Sequence, residues 1–472
     1  MFFFRIKTSI SKFFLRLSMR KKLLRGAAAF VVVVLILTVA FFSSREWIMW
    51  HVDFAIAQHR HRNLTTADFQ YDFEHLMRVL EEDWPFFELS ISANGVDVHQ
   101  LADEFRYTLA KADVDAIGFF ELLREDFFRP IGVLGHLWVM NYPMYFNRFH
   151  DIQYQRAHEE GEMAAFDELT PFTRHIGGLV RHLPTRIMYH RLRDAGVGSQ
   201  PDMEEPVYET HILSNDTALL TVSRMLHLDA DPVRRPGYQY MGYYEAMLYD
   251  FWYEIGDFDH LIIDLRGNGG GFRCHFALFV APMLVTTRTW LPAYLFYGDG
   301  HYSNISRTVR RRNDTVDGIF SAIQEPVFHV DTGNLDFVFH SAASWLPASF
   351  YFAWRQQAFF ARQWEPFAGK VWVLTDERTA SAAEAVTAML LLNNLATVVG
   401  QPTVGVIGTG IDVGSVEFAL PNTGIIIRID IAIYKCHEGN YLQGYGLQPH
   451  YAPRYGMDAL ETVLAMIAEG AY

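Results

Sequence analysis

The chain has 472 residues, 50% of them hydrophobic and 15% aromatic, so it can fill the core of more than one domain, and disorder as its general state is excluded. Its formal net charge of −14 argues against nucleic acid as the main partner, because a phosphate backbone is held by clustered Lys and Arg. Cysteine occurs only at Cys274 and Cys436, without C-x-x-C spacing; these read as small buried hydrophobes, with one bridge between them left open.

The first 25 residues carry eight basic side chains (Arg5, Lys7, Lys12, Arg16, Arg20, Lys21, Lys22 and Arg25) and no acid. An apolar run from Ala27 to Phe42 follows, which with Gly26 and Ser43-Ser44 reaches about the length that spans a bilayer. It is longer than the apolar core usual for a cleaved signal peptide, and no Ala-x-Ala-like site follows Phe42. The expectation is a basic cytoplasmic tail over 1–26 and an uncleaved transmembrane anchor over 27–44. The bulk of the chain then lies outside the cell membrane, by the positive-inside rule.

Residues 50–205 read as a mainly helical domain. "DFQYDFEHLMRVLEEDWPFFE", "VHQLADEFRYTLAKA" and "DAIGFFELLREDFF" carry apolar residues three and four apart, and Pro85 breaks the first of them. A short apolar run, "VLGHLWVMNY", comes next, and the loop-like 196–206 is the best boundary. Beyond it, over 206–472, strands and helices alternate: "TALLTVSRM", "YYEAMLYDFWYEI", "HLIIDL", "KVWVLT" (370–375), a helix over 381–394, "ATVVG", and one long strand over 424–434. In that last strand the isoleucines alternate with Arg428, Asp430 and Ala432. This pattern indicates an α/β layer architecture. Residues 290–360 are aromatic and irregular and show no clear element.

Two stretches carry chemistry. "DLRGNGGG", residues 264–271, leaves a strand and sheds nearly every side chain at once. Such a cluster serves either a tight turn or a close approach to backbone N–H groups. A nucleotide loop is excluded, because no Gly-Lys-Ser/Thr follows and the third glycine of G-x-G-x-x-G is missing. The second stretch, "LTDERTASAAEAVTAML", sets Ser381 at the first turn of a predicted helix. A serine there is ordinarily an N-cap. The same place also suits a nucleophile, since the helix end stabilises the charge that develops on attack.

Together "DLRGNGGG", "TASAAEAV", "GQPTVG" and "YLQGYGLQPH" resemble the S41 peptidases, the carboxyl-terminal processing and tricorn-core family, over roughly residues 206–455. The resemblance implies a crotonase-like ββα spiral core, following the helical domain and the single transmembrane helix. It also implies peptide hydrolysis through an acyl-enzyme on Ser381. The processing branch uses a lysine in G-x-x-T-x-G-K-G; this chain has Val406 there. With no readable PDZ domain between His136 and residue 206, this points away from tail-specific degradation. The tricorn-like branch uses a histidine that precedes the core, and His136 in "VLGHLWV" has that setting. His275 and then His437 are the alternative bases.

That branch's serine before the histidine is Gly135 here, its late glutamate aligns with Gln443, and His450 stands where an Asp is usual. The third member is therefore open between Gln443 and Glu384. The expected oxyanion donors are the N–H groups of Gly269 or Gly270 and of Ala382. The partners expected are a peptide or protein substrate and the membrane, with no nucleic acid, no metal and no cofactor. The alternatives are a non-catalytic protein binding peptides or partners on the same fold and, more weakly, a crotonase-like acyl-transfer enzyme.

Overall fold

The structure, a computed structural model, describes residues 54–146, 182–197, 206–225, 241–271, 276, 280–284, 289–290, 293–297, 300–303, 337–340, 344–345, 366–407, 415–436 and 442–471. The tail 1–26, the anchor 27–44, Cys274, His275 and His437 lie outside the described residues. Contacts divide the chain into Met1–Asn63 and Leu64–Tyr472. In the first unit residues 54–62 are helical. Among the described residues no helix is long and apolar enough to cross a membrane.

The second unit begins with helices whose ends are written in the sequence. Helix α1 (Thr66–Asp83) starts at a capping box, in which Thr65 and Asp68 each satisfy the other's backbone N–H. It stops at Trp84, which is extended because Pro85 follows. Its core face is Phe69, Phe73, Leu76 and Leu80, at helical spacing. Helix α2 (Phe87–Asn94) ends on Gly95 in the left-handed region; Asp97 caps α3 (Val98–Lys111), and Asp115 caps α4 (Ala116–Leu122). The rings of Phe73, Phe105 and Phe127 join these helices, with centroids 4.5 to 5.7 Å apart. After α4 the backbone widens into a π-helical turn, Leu123–Phe128, before reaching the short strand β1 (Trp138–Val139).

Helix α5 (Leu183–Asp194) is followed by β2 (Tyr208–Ile212), β3 (Thr217–Val222), α6 (Met241–Glu254) and β4 (His260–Asp264). The segments β5 (Thr289–Trp290), β6 (Ala293–Tyr297), β7 (Phe337–His340) and β8 (Ser344–Trp345) come next. Then follow β9 (Lys370–Thr375), α7 (Ala382–Leu392), β10 (Thr397–Gly400), β11 (Ser415–Ala419), β12 (Ile426–Asp430), β13 (Ala432–Cys436) and α8 (Ala459–Glu469).

The main sheet has the order β10-β9-β4-β3-β2, parallel except for the edge strand β2. Its two faces alternate as strand geometry demands. Leu220, Ile263, Val373 and Val398 join the large core shared with α7. Leu219, Ile262, Trp372 and Val399 pack against Val463 and Met466 of α8 on the other side. Every residue of β4 is buried, which is why it reads as an unbroken apolar run ending in an acid.

The long strand expected over 424–434 is in fact two. The chain leaves β12 at Ile431 and enters β13, and the two belong to different sheets, β1-β12-β11 and β13-β6-β7. Isoleucine alternation continues through the junction because the residues on both sides of it are buried. Periodicity alone therefore hides the change of sheet.

Candidate active site

The glycine cluster follows the buried strand β4. Arg266 clamps Asp264 through its Nε and Nη2 at 2.9 and 2.7 Å. The buried side chain of Asn268 donates to the carbonyl of Val222 at 2.8 Å and accepts the Gly270 N–H at 2.9 Å. Gly270 has φ +95°, and a Cβ there would lie 2.7 Å from the Ser381 Cβ and 2.8 Å from the Ala380 carbonyl oxygen. A side chain is excluded because the turn presses directly on the backbone around Ser381.

Ser381 is held from the other side by the loop after β9. Thr379 Oγ1 donates to the Leu265 carbonyl at 2.9 Å, and the Ala380 N–H donates to the Asn268 carbonyl at 2.9 Å. Ser381 itself adopts φ +57° and ψ −115° at the start of α7, a backbone state that costs about 1–3 kcal/mol for a residue with a Cβ. Its N–H donates to Glu384 Oε2 at 2.9 Å. Glu384 is fully buried and also accepts Thr403 Oγ1 at 2.5 Å, the Gly405 N–H at 2.7 Å and the Val406 N–H at 2.8 Å. Burial raises its carboxyl above the ordinary range, against the pull of these four hydrogen bonds.

His136 arrives from the helical part of the chain. It closes the 3-10 turn Leu134–His136, with φ +44° after Gly135 at φ +59°. Strand β1 pairs antiparallel with β12, Trp138 opposite Arg428 and Val139 opposite Ile427. Carried back two residues, this register sets His136 opposite Asp430. The two side chains meet there: His136 Nδ1 is 2.7 Å from Asp430 Oδ2, and His136 Nε2 is 3.0 Å from Ser381 Oγ. Both are buried, at 2% and 0% exposure. A carboxylate accepts only, so Nδ1 carries the proton and Nε2 is left to accept from the serine hydroxyl. The other oxygen of Asp430 accepts from Ser415, its opposite number on β11. The Trp138 ring meets the imidazole edge-on at 5.1 Å.

Ser381 and His136, 245 positions apart, are thus brought together. The residues expected as third member are not beside the imidazole. Glu384 is spent on the Ser381 N–H and the 403–406 turn. Gln443 is buried, accepts the Tyr434 N–H at 2.8 Å and donates to the Ile407 carbonyl at 3.1 Å, so it braces two backbone segments. Asp430 stands beside His136 instead. Its signal was legible: with Arg428, it is one of two ionisable positions in a strand of isoleucines, and a buried strand carries an acid only where the acid has a partner.

The expected oxyanion donors separate as well. Gly270 is removed from the set, because its N–H is taken by Asn268. The N–H groups of Gly269 and Ala382 have no hydrogen-bond partner among the described residues; Ala382 follows Ser381 directly, and Gly269 precedes the glycine that packs on Ser381. His450 accepts the Val398 N–H at 2.9 Å through Nδ1, and burial lowers its pKa. It belongs to the sheet edge.

Gly135 has its own reason to be glycine. A Cβ there would lie 2.6 Å from Trp84 Nε1 and 2.7 Å from the Phe86 ring. Gly135→Ser is expected to destabilise the chain by about 1–3 kcal/mol through overpacking and the left-handed backbone. Thermal unfolding of the purified variant measures this; an unchanged midpoint would show that Trp84 yields freely.

Residues 238–452 match the family model of peptidase family S41, in agreement with the resemblance read from the motifs. No protein of curated function matches the chain. Among solved structures, mature CPAF aligns with a TM-score of 0.50 at 13% identity, covering 86% of this chain and 96% of that one. A candidate peptidase from Parabacteroides merdae aligns with a TM-score of 0.48 at 16% identity, covering 86% and 97%. A lipoprotein from Streptococcus agalactiae aligns with a TM-score of 0.44 at 13% identity, covering 85% and 96%. The likeness to CPAF shows a shared α/β fold.

Proposed function

We propose that this chain, which matches peptidase family S41 over residues 238–452, is a serine peptidase with Ser381 as nucleophile, His136 as general base and Asp430 as the group that orients the base. The observation that carries the reading is the unbroken hydrogen-bond chain Ser381–His136–Asp430, at 3.0 and 2.7 Å. As Ser381 Oγ attacks the scissile carbonyl carbon, its proton passes to His136 Nε2. The oxyanion that forms is held by the N–H groups of Gly269 and Ala382, with the positive end of α7 behind it. His136 then gives the proton to the leaving amine. A water, deprotonated by the same nitrogen, releases the acyl group. Asp430 keeps the proton on Nδ1 and stabilises the imidazolium between the two transfers.

Gly135, Val406, Gln443 and His450, where the family resemblance implies other residues, are what favour a non-catalytic binding protein. Against that reading stands Asp430, a carboxylate on β12 that is 2.7 Å from His136 Nδ1. The core over 206–472 is read as the crotonase-like spiral and 50–205 as the helical domain before it. The basic and apolar segments 1–26 and 27–44 are read as a membrane anchor that holds the peptidase outside the cell membrane. Full-length protein in detergent is expected to react with a fluorophosphonate probe, with the label on Ser381. An unlabelled wild type that cleaves no member of a broad peptide library would return the chain to the binding-protein reading.

A further inference from the structure

Asp430 is fully buried, and among the described residues its carboxylate has two side-chain partners, one on each oxygen. Oδ2 faces His136 Nδ1 at 2.7 Å, and Oδ1 accepts from the Ser415 hydroxyl. Register explains this placement. Strand β12 is the middle strand of its sheet; β1 on one flank brings His136 opposite Asp430, and β11 on the other brings Ser415 opposite it. A buried carboxylate oxygen without a donor is unfavourable, and the neighbouring Arg428 is placed against Trp138 and Glu417, at 5.1 and 4.0 Å. Ser415 is itself 3% exposed and can satisfy the carboxylate only by donating.

We propose that Ser415 is a positioning residue: by holding Oδ1 it fixes the orientation of the Asp430 carboxylate, and so the angle at which Oδ2 holds the imidazole of His136. The proposal rests on the Ser381–His136–Asp430 reading, in which Ser415 touches neither substrate nor the reacting atoms. The family resemblance did not point to this residue, because it implies a carboxylate at Gln443 and not on β12.

The test compares Ser415→Thr with Ser415→Val in the full-length chain. The two replacements have the same shape and suit a strand, and they differ only in whether a hydroxyl is present. Two quantities are read: kcat and KM for peptide hydrolysis, and the low-field proton resonance of the His136 Nδ1–H. The expected result is a kcat about tenfold lower in Ser415→Val than in Ser415→Thr, with equal KM, since a hydrogen bond to a charged group is lost. The resonance should move or broaden in Ser415→Val alone. Equal kcat and equal resonance in the two variants would overturn the proposal, whatever their common level. Should wild type hydrolyse nothing, the peptidase reading fails by itself. The resonance then still decides: a difference between the variants upholds the positioning role, and identity refutes it.

Discussion

Ser381→Ala is expected to abolish fluorophosphonate labelling and to lower kcat for peptide hydrolysis by about six orders of magnitude, the scale seen when the nucleophile of a triad is removed. The loss is chemical, because the features that shape this position survive the change. The backbone N–H of residue 381 still donates to Glu384 Oε2 at 2.9 Å, and the Ala380 N–H still donates to the Asn268 carbonyl at 2.9 Å. An alanine Cβ takes the place of the serine Cβ against Gly270 without new crowding. Thermal unfolding should therefore stay close to that of wild type while the initial rate vanishes. His136→Ala should lose nearly as much, since the two groups act as a unit and their losses do not add. A Ser381→Ala variant that cleaves as fast as wild type would remove Ser381 as nucleophile. The close approach of Gly270 to residue 381 would then need another purpose.

Asp430→Asn is expected to lower kcat by about four orders of magnitude with the fold intact. An asparagine can present its amide nitrogen to His136 Nδ1, which turns Nδ1 into an acceptor and moves the imidazole proton to Nε2. That nitrogen lies 3.0 Å from Ser381 Oγ and could then no longer take the serine proton. Gln443→Ala is the control. It removes the two buried hydrogen bonds that Gln443 makes, from the Tyr434 N–H and to the Ile407 carbonyl, which should reduce stability by about 1–3 kcal/mol. It should leave the pH dependence and turnover of the folded fraction near those of wild type. Steady-state rates and denaturation curves on both variants separate the two effects. Full kcat in Asp430→Asn, or a catalytic collapse in Gln443→Ala without unfolding, would transfer the orienting role to the late segment around Gln443.

The sequence by itself determined the local pieces: the helical stretches before residue 130, the helix stop at Pro85, and the alternation of strands and helices beyond residue 206. It also determined where a glycine turn and a serine-bearing helix start must lie. Each of these depends on backbone hydrogen bonding or hydrophobic periodicity within a few residues, so each is written locally. The pairing of His136 with Ser381 was legible only through the order of motifs, since 245 positions separate them.

What the tertiary structure alone decided was which acid stands beside His136 and which groups the other buried polar side chains bond. Asp430 is opposite His136 because β1 pairs with β12 in one particular register, and a slip of one residue would turn the carboxylate to the other face. No local pattern encodes that register, because β1 is two residues long and its partner lies nearly three hundred positions away. Glu384 and Gln443 carried the right chemistry in the sequence, but packing spent both on backbone donors and acceptors. A buried carboxylate or amide binds whatever polar group the fold brings within about 3 Å, and only the fold determines which group that is.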